Sequence, residues 1–177
     1  MADPSTNSMR ATSEHRIVVM GVAGSGKSTV GAALADALGA AFVDGDALHP
    51  RANIEKMAAG EPLTDDDRWP WLGRVRDTLR GAASIVVACS ALTRRYRDVL
   101  RDAGGVRFVF LDLDPGTAGD RLTHRVDHFM GAKMVTSQFA VLERPAVDET
   151  DVVTVDATLG VDSIVDHALA ALVPRPE

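Results

Sequence analysis

Apolar residues recur along this chain in two alternating rhythms. Short runs with little polar interruption, Ile17–Met20, Ala41–Val43, Ile85–Cys89, Phe108–Leu111 and Val152–Val155, carry the pattern of strands buried on both faces of a sheet. Between them the spacing changes to three and four. Val30, Leu34 and Leu38 stand four apart, and Gly39 follows where a helix C-cap glycine belongs. Trp71, Leu72, Val75 and Leu79 form a second stripe, and Leu92, Tyr96, Val99 and Leu100 a third. Ile164, Val165, Ala168, Leu169 and Leu172 form the last, before Pro174. Shorter helical segments fall between His49 and Gly60 and from Ser137 to Leu142, the latter stopped by Arg144-Pro145. Strands alternating with helices predict an α/β fold: three layers around a mostly parallel five-stranded sheet.

Local signals sharpen the boundaries. Pro70, preceded by Thr64-Asp65-Asp66-Asp67, suits the first turn of a helix, and the acids suit its N-terminus. Ser90 is placed to N-cap the next helix, and Asp114-Pro115-Gly116 reads as a turn closing the fourth strand. Residues 1–14 are polar and aperiodic and are expected to be a disordered lead-in to a domain spanning 15–177.

The stretch from Gly21 to Thr29 joins the first strand to the first helix with the spacing Gly-x-x-x-x-Gly-Lys-Ser, the P-loop or Walker A pattern. Its glycines permit a sharp turn with inward N–H groups, and the helix adds the positive end of its dipole. Gly21, Ala23, Gly24, Ser25, Gly26, Lys27, Ser28 and Thr29 are therefore the candidate ATP cradle. Lys27 is expected on the β/γ-phosphates and Ser28 on Mg²⁺. The second strand ends in Asp44-Gly45-Asp46 on the same sheet edge, where α/β proteins bind ligands, so Asp46 is a candidate for chemistry.

Composition narrows the partners. The 177 residues suit one domain, and a net charge of −6 argues against broad binding to nucleic acid or anionic membrane. Cys89 is the only cysteine, which excludes an intrachain disulfide and a cysteine-based zinc site. No apolar run approaches the roughly 20 residues of a membrane span and no signal-peptide core is evident, so a cytoplasmic setting is expected.

Several P-loop chemistries remain to be separated. A guanine-reading Asn-Lys-x-Asp is absent, and Asp102-Ala103-Gly104-Gly105, which matches Asp-x-x-Gly, ends a helix instead of a strand. The Leu-Ser-Gly-Gly signature of coupled ATPases is absent too. A small-molecule kinase remains, with the basic segment Arg121 to Met130 suited to a phosphate-clamping lid.

A more specific pattern overlies this one. Gly45-Asp46-x-Leu48-His49-Pro50-x-x-Asn53-x-x-Lys56-Met57, Pro62-Leu63-x-Asp65-x-Asp67-Arg68-x-Pro70-Trp71-Leu72, Cys89-Ser90-Ala91-Leu92, Tyr96-Arg97-Asp98, His128-Phe129, Ser137-Gln138-Phe139 and Leu142-Glu143-x-Pro145 resemble the gluconokinase family of thermoresistant type. The match runs in order from about Ile17 to Val155. The resemblance implies transfer of the ATP γ-phosphoryl group to D-gluconate, giving 6-phosphogluconate. It also implies a nucleoside-monophosphate-kinase-like fold, a mobile lid over about 121–136, Mg²⁺ and a homodimer. One departure is Thr93, where the family commonly carries Lys; Arg94 beside it is the expected substitute.

Phosphoryl transfer is dominated by positioning and charge stabilisation, so Lys27, Arg121 and Arg125 are expected to carry catalysis, the two arginines lying four apart on one helix face. Asp46 is the candidate general base and hydroxyl acceptor; a role on Mg²⁺-bound water is its alternative, with Asp44, Asp112 and Asp114 as the other available carboxylates. A sugar acid needs a cation and neutral donors, for which Arg68, His49 and His128 are the candidates alongside Asp46. Trp69 and Trp71 are expected to pack beside the pocket. A shikimate-kinase-like enzyme and a nucleotide-binding regulator without acceptor turnover are the alternative readings.

Overall fold

The computed structural model describes residues 14–124 and 128–172, with side chains for all of these but 128–132. The expected lead-in over 1–14 lies almost wholly outside the described residues, as does Arg125. The chain runs β1 (His15–Met20), α1 (Lys27–Leu38), β2 (Ala41–Asp44), a 3-10 turn (Gly45–Leu48), α2 (Arg51–Ala58) and α3 (Asp65–Arg80). It continues through β3 (Ser84–Ala88), α4 (Arg94–Arg101), β4 (Val106–Asp112), α5 (Pro115–Thr123), α6 (His128–Val141), β5 (Val152–Asp156) and α7 (Val161–Leu172).

All strand pairs are parallel, and the sheet order is β2-β3-β1-β4-β5. Alternate residues of the central strands feed two separate cores. Ile17, Val19, Val109 and Leu111 pack with Val30 and Leu34 of α1 and Ile164 and Ala168 of α7. Val18, Met20, Phe108 and Phe110 pack with Leu72, Val75 and Leu79 of α3 and Leu100 of α4. The central strands are apolar at nearly every position because both faces are covered. The parallel register brings the C-terminal ends of all five strands to one edge, with β1 at the point where the chain order reverses.

Four local readings are corrected. Helix α3 begins at Asp65, not at Pro70, because Thr64 and Asp67 form a reciprocal capping box there. Pro70 lies inside the helix, and the carbonyl it leaves without a helical partner belongs to the exposed Asp66. The cap of α4 is Thr93, whose side chain accepts from the Tyr96 amide; Ser90 instead lends its carbonyl to the Gly21 amide at 3.3 Å. Asp114-Pro115-Gly116 starts α5, with Asp114 as N-cap and Pro115 in the first turn. Helix α6 begins at His128, well before Ser137, and buries Val135 against the α1/α7 core.

A buried ion pair ties α4 to the segment between α6 and β5. Arg97 and Glu149, each with a side chain only 1% exposed, make two 2.7 Å bonds. Arg97 also donates to the carbonyls of Ala91 and Glu143, and Glu149 accepts from Arg101 at 2.7 Å. These hydrogen bonds hold the Glu149 carboxyl at about 2, against an ordinary value of 4.5. A buried charge stripped of its partner is costly, so Arg97→Met is expected to lower the unfolding free energy by about 3–5 kcal/mol in urea denaturation. Because its folded pKa is depressed, the Glu149 contribution is complete above 4.5 and lost as pH falls through about 2. Glu149→Gln should flatten that acid limb of the stability profile.

Candidate active site

The site grows from the β1–α1 connection. Gly24 has φ 82°, a left-handed conformation, and a Cβ there would sit 3.1 Å from the Ala118 carbonyl oxygen. Only glycine lets the loop pass so close to α5. Gly26, also left-handed, is the N-cap of α1 and makes no side-chain cap, so no cap side chain takes up the first amides of the helix, the groups that suit an anion. Lys27, Ser28 and Thr29 form the first turn of α1, with Ser28 and Thr29 less buried than the residues that follow. Ser25 is buried, and its hydroxyl has no hydrogen-bond partner among the described residues.

Lys27 is the most constrained cation of the site. Its Nζ donates to the Val22 carbonyl at 3.1 Å. Burial pulls its pKa below the usual lysine value, and the Asp46 and Asp44 carboxylates oppose that pull.

Two carboxylates at the end of β2 take different places. Asp44 Oδ2 accepts from the Ser28 hydroxyl at 2.7 Å, and Asp44 Oδ1 accepts from the Asp46 amide at 3.0 Å. Asp46 lies in the 3-10 turn and not on the strand; it is exposed and is felt by both Lys27 and His49. Gly45 separates them, and a Cβ on it would fall 2.4 Å from the Ala88 carbonyl oxygen, so the turn packs directly on the end of β3. Asp112 is paired with Arg144, and Asp114 is spent on capping α5. Of the four carboxylates open from sequence, Asp44 alone bonds Ser28.

The acceptor side is built by α2, α3 and α4. His49 is 8% exposed; its ring stacks on Trp71 at 4.2 Å and its Nδ1 lies 3.2 Å from Asn53 Nδ2. Burial lowers the His49 pKa, Asp46 raises it and Arg68 lowers it, so the net direction favours the neutral imidazole. Trp71 Nε1 donates to the Gly45 carbonyl at 2.8 Å, in keeping with its expected packing role. Arg68 lies 3.7 Å from Asp65 and donates to the Tyr96 hydroxyl at 3.4 Å, while that hydroxyl donates to Asp65.

The expected lid residues are only partly placed. Arg121 donates to the Gly24 carbonyl at 3.3 Å and to the Ala157 carbonyl at 2.7 Å, bridging the phosphate loop and the turn after β5. Arg125 lies outside the described residues, as does the side chain of His128, whose backbone starts α6. Arg94, the neighbour considered in place of the family's lysine at 93, makes a bidentate pair with Asp148 at 2.7 and 3.0 Å. Arg95, itself exposed, lies 3.6 Å from Asp65 and 5.0 Å from the centre of the Trp69 ring.

Several residues of this arrangement had no role in the sequence reading. Lys56 bonds both Asp67 oxygens, at 2.8 and 2.9 Å, and Asn53 donates to the Asp67 carbonyl at 2.8 Å, together latching α2 to the start of α3. The Lys56 and Thr64 bonds hold the Asp67 carboxyl at about 2. The Thr64-x-x-Asp67 spacing was the available signal for that helix start. Gln138 of α6 accepts from the Ala23 amide at 2.7 Å; it stands in the Ser137-Gln138-Phe139 motif, which by itself names no partner for it.

Comparison with known proteins agrees with this geometry. Residues 17–145 match the family model described as AAA domain. The thermoresistant gluconokinase of Escherichia coli (strain K12) is 46% identical over 89% of this chain and 93% of that protein. The crystal structure of a gluconokinase from Sinorhizobium meliloti 1021 superposes with a TM-score of 0.83 at 48% identity, covering 90% of this chain and 92% of the other. Shikimate kinase from Aquifex aeolicus, with a TM-score of 0.55 at 18% identity over 88% of this chain and 94% of its own, shares the fold alone. A phosphate cradle facing two carboxylates, in a chain this close to those relatives over nearly its whole length, places the protein in the gluconokinase family.

Proposed function

We propose that this chain transfers the γ-phosphoryl group of ATP to D-gluconate, giving 6-phospho-D-gluconate and ADP. The observation that carries the reading is the meeting of Lys27, Asp44 and Asp46 at one sheet edge, in a chain 46% identical to a gluconokinase. That level of identity favours gluconate over shikimate as acceptor, and family membership favours turnover over passive nucleotide binding.

The geometry supports a division of roles. The amides of Gly21 to Thr29 receive the phosphates, and Lys27 balances charge at the β/γ position. Asp46, exposed and within the field of Lys27, takes the proton of the acceptor hydroxyl; the freed oxygen attacks the γ-phosphorus as its bond to the bridging oxygen breaks. Asp44 and Ser28 offer hard oxygen ligands side by side, the donor set that Mg²⁺ takes when phosphates supply the rest. Mg²⁺ held there would neutralise charge on the transferring group. This division gives Asp44 the metal side and leaves Asp46 to the acceptor.

Arg68, flanked by Asp65 and Tyr96, is assigned to the gluconate carboxylate or an adjacent hydroxyl, with His49 and His128 as hydrogen-bonding partners. Arg121 and Arg125 belong to a lid over about 121–136 that closes on the phosphates. The lid's motion, a homodimeric assembly, a domain spanning 15–177 and a cytoplasmic setting complete the proposal. The family resemblance supports the dimer, and dependence on ATP supports the location.

In an ADP-release assay across gluconate, other sugar acids, shikimate and nucleoside monophosphates, gluconate should give the highest kcat/KM; preference for any other acceptor rejects the assignment. Lys27→Ala should abolish transfer. Asp46→Asn should lower kcat by roughly 10²–10⁴-fold with little change in ATP affinity, and a near-native rate removes it as the base. Asp44→Asn should instead raise the Mg²⁺ concentration needed for half-maximal rate.

A further inference from the structure

One peptide group of the phosphate loop is gripped at both ends. The Val22 carbonyl accepts from Lys27 Nζ at 3.1 Å, and the Ala23 N–H, the other end of the same peptide bond, donates to Gln138 Oε1 at 2.7 Å. In a planar trans peptide these two groups point in opposite directions, so a hold on the N–H fixes where the carbonyl aims. Because the Ala23 N–H can only donate, the Gln138 amide must present its oxygen to it.

The two holds come from distant parts of the chain. Lys27 begins α1, immediately after the loop, while Gln138 sits 115 residues beyond Ala23 on α6. Helix α6 is itself anchored, with Val135 buried and Phe139 packed against the core that contains Val22. Val22 is 2% exposed and packed in that core, so one side of the peptide is fixed by packing and the N–H by Gln138. A rotated peptide turns its carbonyl away from Lys27 and leaves a partly buried ammonium without that acceptor, which is unfavourable.

We propose that Gln138 is a positioning residue for phosphoryl transfer, holding the Val22–Ala23 peptide so that its carbonyl places the Lys27 ammonium in the phosphate cradle. Its action runs through Lys27 and not through the nucleotide. The inference rests on the phosphate-binding reading of the loop and is independent of which acceptor is used.

A double-mutant cycle on the affinity for a nonhydrolysable ATP analogue, measured calorimetrically without acceptor, separates the possibilities. In the native background Gln138→Leu should weaken binding roughly tenfold, the scale of one hydrogen bond. In a Lys27→Met background the same change should cost less than about twofold. Equal losses in the two backgrounds overturn the proposal, because Gln138 then acts on the nucleotide or on the loop generally. Failure of gluconate turnover leaves this cycle unaffected, so the two readings fail separately. Gln138→Ala, which removes the acceptor without adding bulk, is run through the same cycle so that the result does not hinge on how Leu packs. Gln138→Glu keeps the acceptor oxygen and should restore most of the affinity lost in Gln138→Leu; no recovery also overturns the proposal.

Discussion

A partly buried lysine ammonium is the constraint around which the phosphate loop and the end of β2 are arranged. Removing a charge from water is unfavourable unless partners replace the lost hydration, and Lys27 finds them in the Val22 carbonyl and in the field of Asp46 and Asp44. Meeting that need requires two strand ends to converge. The loop follows β1, the carboxylates follow β2, and β3 lies between them in the sheet. Gly45 closes the gap, since the missing side chain lets the turn after β2 rest on the Ala88 carbonyl. The cation and its counter-charges are then present before any nucleotide arrives, which is preorganisation in the physical sense.

The acceptor side depends on a different device, a chain of contacts that fixes one helix start. The Thr64–Asp67 box sets where α3 begins, and Lys56 and Asn53 bind α2 to that same turn. One residue on, Arg68 projects between Asp65 and Tyr96. Further along the same helix, Trp71 supports both His49 through its ring and Gly45 through its indole N–H. Disturbing α3 therefore reaches the turn that carries Asp46 as well as Arg68. The donor and acceptor halves of the site share a wall.

The three residues that open α4, Thr93 to Arg95, are each placed by a different partner. Thr93 is used as a helix cap, and a cap residue cannot also reach into a pocket. Arg94 is drawn outward by Asp148 and by Glu143, which takes its backbone amide. The next residue along the helix turns toward Asp65 and Trp69 instead. Helical phase decides this, since adjacent residues on a helix point about 100° apart.

The sequence by itself determined the layers, the five strands, the P-loop between β1 and α1 and the acids at the end of β2. Each of these is encoded locally, in apolar periodicity or in the spacing of glycines, Lys27 and the acids, and local encoding survives without knowledge of what packs where. Tertiary structure decided the partnerships. Whether Asp44, Asp112 or Asp114 faces Ser28 depends on which strand end meets α1, and only the sheet order answers that. The start of α3 at Asp65, ahead of Pro70, is by contrast a local matter, set by the Thr64-x-x-Asp67 capping box, which outweighs one proline. The grip of Gln138 on Ala23 spans 115 residues and is carried by no spacing, because side chains that meet through folding leave no periodic trace in the chain.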